Sequence, residues 1–259
     1  MSIEITTELV KELRNATGIS VMQCRKALEE AEGDMEKAIA ILKKTSANIA
    51  LKKADREAND GAVTVKTQGS KSLLLALHCE TDFVSKNEDF VNLLNTLADK
   101  ALNEGIDAMK NSSKELIDEV IQKTGEKIEL GEVYEINGDI VSNYVHNNKT
   151  AVVVSLEGGN TEVAKDVAMH IAAMKPEFIS KEEIDENSKQ TMMEVFEKEV
   201  SSLDKPEDIK KKMLEGKINT YFKERTLLEQ EFIKDPSLTI EALLNKNNAK
   251  IKEVKRYAI

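Results

Sequence analysis

Residues 62–78, AVTVKTQGSKSLLLALH, and residues 141–156, VSNYVHNNKTAVVVSL, decide the fold class. In the first stretch, Ala62 to Thr67 and Ser72 to His78 are strand-length segments joined around Gln68-Gly69-Ser70, the signature of a hairpin. The second stretch repeats it about 79 residues later, with Val141 to His146 and Ala151 to Leu156. Each hairpin precedes an amphipathic helix. The first carries Phe90, Leu93, Leu94, Leu97 and Leu102 on one side, and the second runs from Val163 to Met174. A further helix is expected over Lys114 to Lys123. Hairpin plus helix, twice, predicts an α+β protein whose core is an internal duplication with small antiparallel sheets.

Outward from that core, residues 1–45 read as a bundle of three short helices. Thr7 is expected to cap the first, which carries Leu9, Val10 and Leu13 and stops at Gly18. Ser20 with Gln23 forms a capping box for the second, which carries Val21, Cys24, Ala27 and Leu28. Asp34 caps the third, with Ala38, Ile41 and Leu42 on one face. Residues 46–59 read as a charged helical linker, 60–139 as the first core subdomain, and 140–186 with 230–259 as the second. Residues 187–229 form an inserted helical hairpin. Met193, Phe196, Val200 and Leu203 follow coiled-coil spacing, and Leu214, Ile218, Tyr221 and Leu228 answer on the return helix, with Met213 and Phe222 left off the seam. A short helix near Glu241 to Leu244 and a strand from Ile251 to Ile259 close the chain.

Composition narrows the function. The chain is 41% hydrophobic, enough for real cores, and its formal charge of -10 disfavours a phosphate-binding surface, so no nucleic acid is expected. Apolar runs are far below a membrane span, and the N-terminus lacks the basic start and apolar centre of a signal peptide, which predicts a cytoplasmic protein without a membrane partner. Cys24 and Cys79 have neither disulfide nor metal spacing. His78 and Cys79 are strand neighbours on opposite faces and cannot act as a dyad. His170, among Ala168, Ile171 and Ala172, reads as a packed histidine. Gly158-Gly159 lacks a following Lys-Ser or Lys-Thr and reads as a turn. No catalytic residue, metal site or cofactor is expected: not an enzyme.

Two segments go further. One is Leu9-Val10-Lys11-Glu12-Leu13-Arg14, Thr17-Gly18, Met22-Gln23-Cys24-Arg25-Lys26-Ala27-Leu28 and Gly33-Asp34. The other is Cys79-Glu80-Thr81-Asp82-Phe83-Val84 directly after a strand. With Ala168-Met169-His170-Ile171-Ala172-Ala173 and Pro176-Glu177-Phe178-Ile179, they resemble the bacterial elongation factor Ts family over nearly the whole chain. The resemblance implies an N-terminal bundle similar to ubiquitin-associated domains, a duplicated core and a coiled-coil insertion. It also implies a translation factor that binds elongation factor Tu, at its G domain and a further domain, and promotes release of GDP.

By position, Asp82 and Phe83 match the family's intruding pair, and Thr81 and Val84 flank them in the same motif. Lys11, Arg14, Val21 and Met22 match contacts with a helix of the partner's G domain; Gly125 and His146 match core contacts; Ile233 matches a contact of the returning C-terminal segment. Lys234 departs from the apolar residue common there, and after Ile259 no acidic tail of the kind many members carry is expected. By residue type alone, a Phe at a strand end defaults to the core. Val21 and Met22, at a helix start, could be exposed or packed. An adaptor or scaffold using the bundle and the arm, which could also pair two copies through the coiled coil, is the competing reading. An exposed Phe83 favours the exchange factor and a buried one the adaptor.

Overall fold

The computed structural model describes residues 5–259, which fall into two compact units. The first runs up to Glu135 and includes Val145–Ala151 and Tyr257–Ile259; the second comprises Ile136–Tyr144 and Val152–Arg256.

The first unit opens with α1 (Thr7–Thr17), α2 (Val21–Glu30) and α3 (Met35–Lys53). Leu13, Cys24, Leu28, Ala38 and Leu42 close a small core between them. Thr6, one residue before the expected Thr7, caps α1: its hydroxyl accepts from the Leu9 amide at 3.2 Å, while Thr7 already has helical geometry. Ser20 accepts from the Gln23 amide and Asp34 from the Lys37 amide, as the sequence predicts, but the Gln23 side chain turns to Gln122 and leaves the capping box half formed. Strands β1 (Asp60–Gln68) and β2 (Lys71–Cys79) form the first hairpin, in a register that pairs Ala62 with Leu77 and Thr67 with Ser72. A single turn, α4 (Asp82–Ser85), leads into α5 (Glu88–Glu104) and α6 (Ile106–Thr124). Helix α6 begins eight residues before the expected Lys114, because Gly105 turns the chain and Ile106 and Met109 pack into the α5 core. Strand β3 (Ile128–Asn137) completes a sheet of order β1-β2-β3.

The pattern then returns. Strands β4 (Ile140–His146) and β5 (Thr150–Glu157) form the second hairpin, and α7 (Thr161–Met174) follows, its first turn capped by Asn160. Helices α8 (Glu186–Ser201) and α9 (Glu207–Arg225) make the arm. Short strands β6 (Glu231–Phe232) and β7 (Asp235–Thr239), helix α10 (Ile240–Lys246) and strand β8 (Lys250–Ala258) bring the chain back, and β8 completes a second sheet of order β4-β5-β8. Two three-stranded sheets, each backed by helices, make the protein α+β with small antiparallel hairpins.

The arm corrects the expected seam in three places. Met193 is exposed, and α8 turns Met192, Phe196 and Val200 inward, a four-residue spacing that keeps one stripe on a straight helix. Phe222, expected to be left over, is buried at the arm's base against Phe178, with ring centroids 6.2 Å apart. Leu228 lies beyond α9, which ends at Arg225, and packs instead into the core of the second unit.

Candidate functional site

Between β2 and α5 the chain builds a small outward knob. Val84 turns inward to join Phe90, Leu94 and Ile121, so its neighbour one position earlier must face out. Phe83 is 82% exposed, the most exposed large apolar side chain described. Asp82 is also exposed, and its carboxylate accepts from Lys86 Nζ at 2.7 Å. A bare phenyl ring held in water is unfavourable by roughly the 1.5–3 kcal/mol that burial would return. An exposed ring on an ordered turn therefore marks a surface that gains by being covered.

The knob is tied down on several sides. The Ser85 amide donates to Thr81 O at 3.1 Å, and the Asn87 amide donates to Val84 O at 2.9 Å. Beneath it, Lys149 Nζ donates to Asp60 Oδ1 at 2.7 Å, to Gly61 O at 2.6 Å and to Ser85 Oγ at 3.3 Å. Lys149 keeps the Asp60 carboxyl below its usual range against the opposing effect of burial. Lys149 belongs to the β4–β5 turn that follows His146, the exposed last residue of β4.

On its other flank the knob meets the end of α6. Gly125 is the left-handed C-cap of α6, with φ +77°, and its amide donates to Ile121 O. That reversal brings Glu126 to Thr81: Oε2 accepts from the Thr81 amide at 3.0 Å and Oε1 from the Thr81 hydroxyl at 2.7 Å. In return Glu80 Oε1 accepts from the Lys127 amide at 2.6 Å, while Arg56 Nη1 bridges both Glu80 oxygens at 3.1 and 3.2 Å. The Lys127 amide, then the Arg56 guanidinium, hold the Glu80 carboxyl below its usual range. Glu126 was not singled out from the sequence, and Glu80 entered only as part of the motif that carries Asp82 and Phe83. They lie about 45 residues apart, and the only local cue was the helix-stopping Thr124-Gly125 pair.

Of the bundle residues, Lys11 and Arg14 are exposed on α1, and Val21 and Met22 are 54% and 70% exposed at the start of α2. The next residue, Gln23, accepts from Gln122 Nε2 at 3.2 Å, which fastens the start of α2 to the last turn of α6, three residues before Gly125. A chain of direct contacts therefore links Met22–Gln23, Gln122–Glu126 and Thr81–Phe83 within one unit. Ile233 belongs to the second unit and is 45% exposed beside Lys234, whose ammonium pairs with Asp166 at 2.6 Å. The Ile233 amide donates to His170 Nδ1 at 3.3 Å, so His170 carries its proton on Nε2 and donates it to Gln230 Oε1 at 2.9 Å. Burial lowers the pKa of this imidazole and keeps it neutral.

Nothing in the arrangement activates a nucleophile. The buried Cys79 thiol donates to Thr81 O at 3.2 Å, and burial, with Asp60 and Glu126 nearby, pushes its pKa up to about 12. His78 pairs instead with the Tyr257 hydroxyl at 2.7 Å. Among the described residues no three His, Cys, Asp or Glu side chains are grouped to hold a metal ion, and no helix is long and apolar enough to cross a membrane.

An α+β protein presenting an exposed aromatic knob is the class these observations define, and comparison with known proteins sharpens it. A family model described as Elongation factor TS matches residues 80–259. Elongation factor Ts of Hahella chejuensis is 39% identical over 98% of this chain and 92% of its own length. Elongation factor Ts of Pseudomonas fluorescens is 38% identical over 99% and 91%, and that of Teredinibacter turnerae 38% over 98% and 90%. This chain belongs to the elongation factor Ts family, a family of translation elongation factors.

Proposed function

We propose that the chain binds elongation factor Tu carrying GDP and promotes release of the nucleotide, by disturbing the Mg²⁺ and phosphate sites and passing through a nucleotide-free complex. The carrying observation is Phe83, a phenyl ring 82% exposed on a braced turn with Asp82 beside it. An adaptor that used only the bundle and the arm would have no reason to keep this ring in water.

In this reading Asp82 and Phe83 enter the G domain, and Lys11, Arg14, Val21 and Met22 hold one of its helices. Gly125 and His146 line the same approach, with Thr81 and Val84 as the base of the knob. Ile233 reaches a further domain of the partner. The domain boundaries read from the sequence, with a ubiquitin-associated-like bundle over 1–45 and an arm over 187–229, go with the proposal, as does a cytoplasmic location. Neither metal nor cofactor takes part on this side of the interface, and no covalent step occurs. Exchange acceleration requires tighter binding to the nucleotide-free partner than to its GDP form, since equal affinity shifts nothing.

The test is release of fluorescent GDP from elongation factor Tu at fixed Mg²⁺. The expected result is a release rate that rises with the concentration of this chain and saturates. A rate independent of the chain, with binding to the partner intact, would leave the adaptor reading in its place.

A further inference from the structure

We infer that Glu126 is a positioning residue for exchange: its carboxylate fixes the angle at which Phe83 and Asp82 are presented, without touching the partner. This rests on the proposed exchange function and adds a residue to it.

Thr81 occupies the N-cap position of α4, where a threonine hydroxyl ordinarily accepts from an amide of the turn it begins. It makes no such bond. Both Thr81 donors, the amide and the hydroxyl, instead go sideways to the two oxygens of Glu126, at 3.0 and 2.7 Å. A carboxylate that accepts two donors from one residue fixes direction as well as distance, and charge-assisted bonds of this kind are the stronger class. The residue so held immediately precedes Asp82 and Phe83.

The second strap, from Glu80 to the Lys127 amide at 2.6 Å, prevents the 80–81 segment from pivoting about the first. Gly125 completes the device. Its left-handed φ of +77° directs Glu126 back toward the knob, and Lys53 Nζ donates to its carbonyl. A Cβ at Gly125 would meet nothing within 4 Å, so space alone does not require glycine there; the backbone reversal does. Glu126 thus ties the knob to the same end of α6 to which Gln122 ties α2. The path from Phe83 to the Val21–Met22 pair then runs through this carboxylate. A partner that must meet both at once is sensitive to that angle, since small misplacements of a positioned group cost far more than their size suggests.

The experiment compares the intact chain with its Glu126→Ala, Glu126→Gln, Thr81→Val and Thr81→Ser variants and the Thr81→Val/Glu126→Ala double variant in saturating fluorescent-GDP release from elongation factor Tu. Glu126→Ala is expected to lower the maximal release rate about tenfold while moving the half-saturating concentration less than about twofold. Glu126→Gln, which keeps one acceptor and places a donor against the second Thr81 donor, should fall between. Thr81→Ser retains both donors and should release GDP faster than Thr81→Val. The double variant should be no slower than Glu126→Ala alone, because the bond is already gone. Protection of the Thr81 amide against hydrogen exchange should fall in Glu126→Ala with the melting temperature corrected for, a readout that general loosening does not mimic.

An unchanged maximal rate in well-folded Glu126→Ala, when the intact chain accelerates release, overturns the inference alone. If Glu126→Ala folds poorly, Thr81→Val decides: the same maximal rate as Thr81→Ser overturns it equally. Failure of the intact chain to accelerate release overturns the exchange function, and this inference with it.

Discussion

The two hairpins are built alike and end differently. In β2 the residues Ser72 to Leu77 are buried without a break, and in β5 so are Ala151 to Leu156. After β2 the chain places Glu80, Thr81, Asp82 and Phe83 on an outer turn braced by Glu126 and Lys127. After β5 it places Gly158 and Gly159, with φ +73° and +75°, so close to the α10–β8 turn that a Cβ on Gly158 would lie 2.1 Å from Asn248 O. One copy of the unit uses the strand-to-helix turn for display; the other uses it for closure. Packing fixes the hairpin and helix in both, while the segments between them, 80–87 in one and 158–160 in the other, are free to specialise.

The largest effect expected from this contrast is on exchange. Phe83→Ala should slow GDP release about thirtyfold, the equivalent of an interface hot spot of about 2 kcal/mol, and leave thermal unfolding unchanged. A variant that melts early yet exchanges normally per folded molecule would return Phe83 to the core and erase the distinction between the two turns. Next in size is a loss of stability in the closing turn. Gly158→Ala combines a left-handed backbone with a clash against backbone oxygen, and should cost about 1–3 kcal/mol in denaturant unfolding. Gly125→Ala has the same backbone problem in open space and should cost about 1 kcal/mol. Equal costs would mean that the two turns are not constrained differently.

How much of this was legible in the sequence follows the same line. Strand-length segments around turn residues marked both hairpins, most clearly the unbroken apolar runs within β2 and β5, and one-sided apolar spacing marked helices α5 and α7. Strand β3 was missed. Its apolar residues Ile128, Leu130, Val133 and Ile136 are separated by Glu129, Glu132 and Glu135, and Gly131 reads as a break. That glycine is present because the His78 ring lies 2.8 Å from where its Cβ would be, a fact of tertiary packing with no local trace. Strands β6 and β7 are too short to carry a period. Helix amphipathicity placed the arm, but the i, i+4 stripe of α8 and the burial of Phe222 against Phe178 depend on what the arm's base meets. Phe83 was visible only through its motif, since residue type alone favours the core. The Glu126–Thr81 bond joins residues too far apart in sequence for any spacing rule.

Each unit also buries a titratable group whose pKa burial shifts, with opposite consequences. The Cys79 thiol, ordinarily near 9.0, is pushed up to about 12 by burial first. The unfolded thiol therefore ionises first as pH rises, and the stability it contributes, complete below about pH 9, is lost as pH climbs toward 12. His170, ordinarily near 6.5, is lowered by burial, so the unfolded imidazole takes up its proton first as pH falls below about 6.5 and stability declines on the acid side. Melting curves of Cys79→Ala should lose part of the alkaline slope, and those of His170→Asn part of the acid slope. Exchanged signs would contradict the assignment of both groups as neutral in the fold.

The smallest effect on exchange is expected from the arm. Replacing residues 187–221, the part of the arm beyond its buried base, by a short loop should preserve most of the GDP-release rate while changing partner affinity or the mass in solution, because Met193 and Val195 leave apolar surface on α8 uncovered. Loss of exchange in a well-folded deletion would move the arm into the active surface.

The central claim concerns coupling between this chain and GDP. A 10⁴-fold bias toward the nucleotide-free partner needs about 5.5 kcal/mol of differential binding. A hot spot the size of Phe83 supplies about 2 kcal/mol, so Asp82, the bundle and the second unit must share the rest. Linkage makes the bias reciprocal: whatever factor the chain removes from GDP affinity, GDP removes from the affinity of the chain. Titrating elongation factor Tu with this protein, with and without saturating GDP at fixed Mg²⁺, measures that factor. The account predicts markedly weaker binding in the presence of GDP, with about thirtyfold of the difference lost in Phe83→Ala. Equal affinities in the two titrations would contradict it.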